Sequence, residues 1–541
     1  MKPGRGFLFG ILIVAAGLRV AHVLALRGTP WFDHLIVDPE YYDAWAQRIA
    51  AGDWLGERAF YMDPLYPYVL GILYRLRGHD LLAARLLNVA FSVGACGLVG
   101  GLGRRVGGPT IGALAALGFA LYKPDVYYVG ELDKTSLSVL LAAATVALAF
   151  GRTLPARFGA GVALALTALT RANFLLFAPL VPLAFLLDPA ERRERIGPAS
   201  RATCGAALFV AGFGLVLLPV AWRNHHVSGE WVITTAQAGQ NFYTGNNESN
   251  PYGAFGAVPF VRANPHFEED DFRANAEARA GHALAPRQVS AFWFDEALAH
   301  MRAHPGFAAR ALGWKALLFW NDFEISDSQD QYLLERDSPV LRLPLPGFGA
   351  LAMFAVLGAC AGFRARRPVR LLCGFVLVYW ASVVAFFLFS RYRIQIVPVL
   401  SVLAALGAVA LGGWLRAGDR RRLAAAGVVL AGVGVLTFHR VGVFSRDHPR
   451  TVEMRLRHLA TIYMTVGQPE RAIGALQEAI PGCTHGCPWA AADLFQIYFA
   501  TGRFAEGEAY FRDFVRRYPA QEDAPGYLER LQAAGSAQDH R

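Results

Sequence analysis

Apolar runs close to 20 residues long recur along this chain, beginning at about Phe7 to Leu26 and continuing through most of the first 440 positions. A helix of that length matches the roughly 30 Å hydrocarbon core of a bilayer. Repeated many times, the pattern predicts an all-α, polytopic membrane bundle, because in lipid every backbone N–H and C=O must be paired within the protein. Only 17% of the 541 residues are charged, against roughly 25% in an ordinary soluble domain. That excludes both a disordered chain and a wholly soluble one.

The runs place spans at about 7–26, 85–103, 109–123, 134–150, 158–170, 173–187, 202–221, 346–363, 369–389, 394–415 and 423–438, about eleven in all. The two runs either side of Arg171 are short for full crossings and predict a broken or re-entrant hairpin. The first run follows Lys2 and Arg5 and lacks a small-residue cleavage site, so it reads as an uncleaved first helix. Residues 1–440 thus form a membrane domain with two long wet segments, about 27–84 and 222–345. Residues 441–541 form a polar tail.

Lysine occurs only at Lys2, Lys123, Lys134 and Lys315, so the net charge of +10 comes almost wholly from arginine. Arg104 and Arg105, Arg152 and Arg157, Arg192 with Arg193 and Arg195, Arg364 with Arg366 and Arg367, and Arg420 to Arg422 all fall in connectors on the side of the N-terminus. By the positive-inside rule that side is cytoplasmic. The two long segments, the turn around Glu131 and the tail then share the opposite compartment. Charge confined to connectors forms no nucleic-acid stripe, and no nucleic-acid partner is expected.

The tail repeats itself: Leu459-x2-Ile462-Tyr463-x3-Gly467 returns 35 residues later as Leu494-x2-Ile497-Tyr498-x3-Gly502. The near-34 period and the glycine between two apolar helical faces are tetratricopeptide signatures. Two units barely make a core, so flanking helices or the membrane domain are expected to cap them. Cys483 and Cys487 suit a short disulfide loop in an oxidising compartment, or, with His485, part of a metal site in the cytosol.

The chemistry-bearing residues gather on the external side. The first long segment holds Asp38, Glu40, Tyr42 and Trp45, then Asp63, Tyr66 and Tyr68. A carboxylate partly desolvated at the membrane border suits a general base; an interfacial helix with solvated acids is the plainer alternative. Glu131 and Asp133 stand at a second external turn beside Lys134, an E-x-D and not the D-x-D of a metal motif, which makes metal only a weak suggestion there. Arg171, Arg391 and Arg393 run against the inside bias, which fits headgroup contact or a pocket for a substrate phosphate.

Taken in order, Asp38-Pro39-Glu40 with Tyr42 and Trp45, Asp63 to Tyr68, Gly130-Glu131 with Lys134, Leu169 to Asn173, Arg223-Asn224, Gly239 to Asn247, Lys315 to Glu324 and Arg391-Tyr392-Arg393 with Pro398 resemble the GT-C superfamily of polytopic glycosyltransferases. The likeness is to its bacterial protein-mannosyltransferase-like and aminoarabinose-transferase-like branch. The resemblance implies transfer of a sugar from a polyprenyl-phosphate donor to a protein, lipid or glycan acceptor at the periplasmic face of a bacterial inner membrane. It makes Asp38 the base with Glu40 assisting it or binding acceptor, although the inserted Pro39 leaves open which acid serves, and makes Glu131 an orienting acid. Tyr42, Asp63, Tyr66, Lys134, Arg171, Asn241, Tyr243, Asn246, Lys315, Arg391 and Arg393 become substrate-binding residues, with no firm cofactor or metal. A ligase or polymerase of lipid-linked glycans remains an alternative. So does a transporter or flippase with a scaffolding tail, for which charges midway through spans would be expected.

Overall fold

A computed structural model of the chain describes residues 5–196, 199–256, 258–262, 264–483 and 486–539. Among them six helices are long and apolar enough to cross a membrane: Gly6–Leu26, Leu81–Gly107, Arg201–Ser228, Arg367–Ala385, Ser390–Ala417 and Arg420–Phe438. Five shorter apolar helices accompany them, Pro109–Ala120, Thr135–Ala149, Leu154–Ala168, Ala172–Leu186 and Phe348–Gly362. These correspond one for one with the expected spans, and the protein is a multi-pass helical membrane protein. Strand pairing among the described residues is slight, an antiparallel pair at Arg195–Ile196 and Ala199–Ser200 with two isolated bridges.

Two crossings show how the bundle closes. A Cβ on Gly161 would lie 2.0 Å from the Phe209 carbonyl oxygen, and one on Gly212 would lie 2.3 Å from that of Phe158. Gly358 and Gly407 meet in the same way, 1.9 Å and 2.2 Å from the carbonyls of Leu403 and Phe354. Only glycine lets these backbones approach so closely, the usual device where lipid supplies no hydrophobic drive between helices. The second crossing locks Phe348–Gly362 onto Ser390–Ala417, whose most apolar window is 72% buried, against 11% for Arg420–Phe438. Ser390–Ala417 is therefore central, and Arg391 stands in its first turn.

The first external segment is itself helical, Asp38–Ala51 and Leu65–Arg77. Asp38–Ala51 starts with acids and a proline in its first turn and stops at Gly52, whose φ is 114°. Acids at the start complement the helix dipole and glycine ends it. Arg223 and Asn224 hold this segment: Arg223 donates to the Arg58 carbonyl at 2.7 Å and lies 3.7 Å over the Phe60 ring. Asn224 accepts from the Phe60 N–H at 3.1 Å. Within the second segment, Pro265–Ala280 and Pro286–Ala303 enclose a core of Val258, Phe272, Ala276, Val289 and Trp293.

A second compact unit comprises residues 440–541 together with Leu26–Leu35 and Tyr332–Asp337, so it draws on both external segments as well as the tail. Its helices Pro449–Thr465, Pro469–Ala479, Pro488–Ala500, Phe504–Arg517 and Ala524–Asp539 follow one another through short turns. Gly467 and Gly502, the repeated glycines, both take positive φ, 69° and 68°. Cys483 and Cys487 are joined as a disulfide. The buried Glu453, which with them makes a grouping of metal-ligand spacing, accepts the Ala490 N–H at 2.9 Å. His485 lies outside the described residues.

Candidate active site

Four stretches of chain converge on Arg391. The Asp38 carboxylate meets its Nη1 at 2.7 Å, Asp327 meets Nη2 at 2.5 Å, and Asp133 lies 3.7 Å from Nη1. Arg171, at the tip of the short hairpin, donates through Nη2 to the Arg391 carbonyl at 3.0 Å and lies 4.7 Å over the Tyr392 ring. Just before Asp38, Val37 adopts φ 55° and ψ −126°, a conformation uncommon for any residue with a Cβ and least favoured by a β-branched one. Strain of this kind persists where surrounding structure over-determines the backbone, often at functional sites. Here it accompanies the turn that brings Asp38 to the guanidinium.

Glu131 and Lys134 flank this cluster. Arg85 Nε donates to the Gly130 carbonyl and Asn88 Nδ2 to that of Glu131, each at 2.8 Å, which fixes the turn. The Glu131 carboxylate accepts the Tyr127 hydroxyl, and burial, then the neighbouring Asp133, pushes its pKa well above the ordinary carboxylate value. Asp133 caps the following helix, accepting the Thr135 N–H at 2.8 Å and hydroxyl at 2.7 Å. Lys134 forms a buried ion pair with Asp63 and stands 5.8 Å from the Tyr42 ring. Tyr42 packs edge-on against Tyr66 at 5.9 Å, and the Tyr66 hydroxyl donates to Asn88. The Tyr42 hydroxyl is buried without a hydrogen-bond partner.

No family model matches the chain, and no curated protein matches it. Among solved structures it is similar to ArnT from Cupriavidus metallidurans bound to undecaprenyl phosphate, at 13% identity and a TM-score of 0.45 over 99% of this chain and 88% of that one. It is also similar to the Archaeoglobus fulgidus oligosaccharyltransferase in its apo form, at 15% identity and a TM-score of 0.44 over 84% of this chain and 58% of that one. A complex of the archaeal AglB from the same organism with an inhibitory peptide and a dolichol-phosphate gives 14% identity and a TM-score of 0.42 over 83% and 58%. The chain spans less than two thirds of the length of these archaeal proteins.

Other residues singled out in the sequence go elsewhere. The Glu40 carboxylate turns outward, 41% exposed, and meets His266 Nε2 at 2.7 Å. Arg393 is held by the stretch before Asp327 through both Nη atoms: it pairs with Glu324 at 2.8 Å and donates to the carbonyls of Phe319, Asn321 and Phe323, while its Nε has no hydrogen-bond partner. Lys315 donates to Asn246 Oδ1 at 2.8 Å and the Phe386 carbonyl at 2.6 Å. The Tyr243 ring packs on Trp293 at 4.6 Å, and Asn241 is half-buried on Ala238–Asn246. The amides of Asn246 and Asn247 donate to backbone carbonyls, whereas the buried Gln240 Oε1 has no hydrogen-bond partner.

Two acids escaped the sequence reading. Asp327 sits in an irregular stretch pinned by reciprocal hydrogen bonds between Ile325 and Ser390, the Ser390 Oγ accepting from the Ile325 N–H at 2.6 Å. Glu268, on Pro265–Ala280, faces Asp38 and Asp327, and burial followed by the Asp38 charge holds its pKa up at about 7. The dense polar run Ser326-Asp327-Ser328-Gln329-Asp330, separated by five residues from the helix Pro305–Trp320, was the available signal for Asp327. Glu268 had none, since it is one of several acids on a polar helix.

Proposed function

We propose that this protein is a GT-C-type membrane glycosyltransferase that moves a sugar from a polyprenyl-phosphate donor to an acceptor hydroxyl or amine, with Asp38 as general base. The observation that carries the reading is the meeting of Asp38 with Arg391 at the end of the central helix. A base and a guanidinium stand side by side where an isoprenoid chain in lipid presents its phosphate to water. Such a donor already carries a good leaving group. The protein must deprotonate the acceptor and stabilise the departing phosphate, tasks worth about 100- to 10,000-fold for a positioned base and a comparable factor for a preorganised cation.

In this reading Arg391 receives the donor phosphate, with Arg171 bracing its backbone and Lys134 beside it, and Glu131, its pKa raised by burial, orients substrate. Arg393, Lys315 and Asn246 hold the scaffold. The active face is periplasmic, the N-terminus cytoplasmic and the host membrane a bacterial inner membrane, as the arginine distribution favours. The tail unit is a tetratricopeptide-like module that recruits or orients the acceptor. Purified chain reconstituted in liposomes and supplied with a panel of polyprenyl-phosphate sugars should release polyprenyl phosphate from at least one. Release that persists undiminished in both Asp38→Asn and Arg391→Ala would refute the assignment.

A further inference from the structure

The inference here rests on the transfer reading and concerns the Asp327 side chain. Arginine recognises a phosphate through two parallel N–H groups along one edge of its guanidinium. In Arg391, Asp38 Oδ2 stands 2.7 Å from Nη1 and Asp327 Oδ2 2.5 Å from Nη2 as ion pairs, neither oxygen aligned as a hydrogen-bond acceptor, and the buried Nε has no hydrogen-bond partner. The Nε–Nη2 edge is therefore faced by one carboxylate, which approaches one of its two nitrogens. A bidentate oxyanion completes that edge only if Asp327 leaves it.

The two carboxylates differ in how they are held. Asp38 begins a helix and its side chain is 8% exposed; Asp327 lies two residues beyond the Ile325–Ser390 pin, in irregular chain, and is 18% exposed. We propose that Asp327 is a placeholder for the donor phosphate, a positioning residue that stands at Nη2 of Arg391 and competes with the phosphate for it. It gives up the Nε–Nη2 edge to the incoming phosphodiester while Asp38 stays on Nη1.

Charge supports the exchange. Asp327 is faced by Asp38 from Asp38–Ala51, by Glu131 and Asp133 from the second external turn, and by Glu268 from Pro265–Ala280. Arg171, Arg391 and Tyr392 face it as well. Acids outnumber arginines there, so an added anion is admitted only as negative charge is removed. Burial, offset by Arg391 and reinforced by Asp38, holds the Asp327 carboxyl at about 7. On leaving the guanidinium it takes one proton from water, forming an O–H on its own carboxyl, and no bond in the donor changes. Above pH 7 the ionised carboxylate competes with the phosphate, and each unit further up weakens donor binding by about tenfold.

The test measures binding of geranylgeranyl methyl phosphodiester, a single-charge probe that does not titrate near neutral pH, to the full chain in detergent. In wild type the Kd should rise about tenfold from pH 6 to pH 8. With Glu268→Gln as the shared background, so that a second carboxyl near 7 does not contribute, the Kd in Asp327→Asn should be flat, and at pH 8 at least about fivefold lower than with Asp327 present. Asp327→Ser serves as the second variant should the amide misfold. A slope shared by the Asp327 variant and its Glu268→Gln parent, or a Kd at pH 8 no lower in the variant, overturns the proposal. Asp38→Asn removes a charge that raises the Asp327 carboxyl, so the slope should persist with its onset moved to lower pH while transfer is lost; if transfer is kept, the catalytic reading fails whatever the binding slope shows.

Discussion

Asp38→Asn and Glu40→Gln, compared in one preparation, separate two acids that the sequence could not rank. Glu40 is 41% exposed and its one ion pair is with His266, itself 39% exposed. Exposed pairs of this kind are worth about 0.2–1 kcal/mol, so Glu40→Gln should change transfer by no more than about fivefold. Asp38 is 8% exposed and touches the guanidinium that would hold the donor. Loss of a general base costs about 100- to 10,000-fold, or about 2.7–5.4 kcal/mol of barrier at 1.36 kcal/mol per decade. The asparagine is isosteric, and Arg391 keeps Asp327 at 2.5 Å and Asp133 at 3.7 Å, so the guanidinium is not orphaned. The loss should accordingly fall on kcat with donor KM unchanged or lower. Proteoliposomes fed a polyprenyl-phosphate sugar, with released polyprenyl phosphate followed in time, give both constants. Equal losses in the two variants, or an Asp38→Asn protein within about tenfold of wild type, would refute the assignment of the base.

Lys134→Met strands Asp63 in a buried site where its Oδ1 already has no hydrogen-bond partner. It should cost about 3–5 kcal/mol in reversible unfolding, most of it recovered in Asp63→Asn/Lys134→Met. Burial holds the Lys315 ammonium down to about 7, whereas in the unfolded chain it stays protonated to about 10.4. Between those values the unfolded state binds the extra proton, so stability rises with pH by up to about 1.4 kcal/mol per unit. Lys315→Met should flatten that part of the rise in melting temperature between pH 7 and pH 9. Alkylation of denatured, unreduced protein should label the thiols of Cys96, Cys204, Cys360 and Cys373 and spare Cys483 and Cys487; labelling of all six cysteines would count against the disulfide.

The spans were legible because hydrophobic length is a local property, and each expected run has its helix. Helix ends shifted where polar residues extend a span beyond its apolar stretch: Asp80 caps Leu81–Gly107 by accepting from the Leu82 and Ala83 N–H groups, four residues ahead of the expected start at 85. Asp38 and Arg391 could be named as chemical residues but not joined, since 353 positions separate them and no periodicity encodes that pairing. The reach of the second unit was hidden for a similar reason. Its pieces at Leu26–Leu35 and Tyr332–Asp337 carry no repeat signature, yet Trp31 Nε1 donates to Asp337 at 3.1 Å and Arg336 pairs with Glu478 at 2.5 Å. Amides on Ala238–Asn246 suggested sugar binding because their composition is the same whether they face a ligand or tie down backbone.

The transporter alternative rests on charges midway through spans, and the structure does contain one: Arg19, fully buried in Gly6–Leu26, paired with Asp125 at 2.6 Å. What distinguishes a relay from a staple is whether donors remain for a passing ligand. Arg19 Nε faces Ser92 and Asp125, Nη1 donates to the carbonyls of Ala15 and Ala120, and Nη2 to Phe119 and Asp125. Phe119 and Ala120 end the short helix Pro109–Ala120, where the Tyr122 N–H serves the Phe119 carbonyl and Arg19 supplies a donor to that of Ala120. Arg19 thus closes a helix that is too short to end in water. At Arg391, by contrast, Nε is unfilled and an irregular stretch carries one of the competing acids. Arg391 and its neighbours Arg171 and Arg393 each keep an unfilled Nε on the face where the transfer reading places the donor phosphate, while the intramembrane arginine has its hydrogen-bonding capacity spent on the fold.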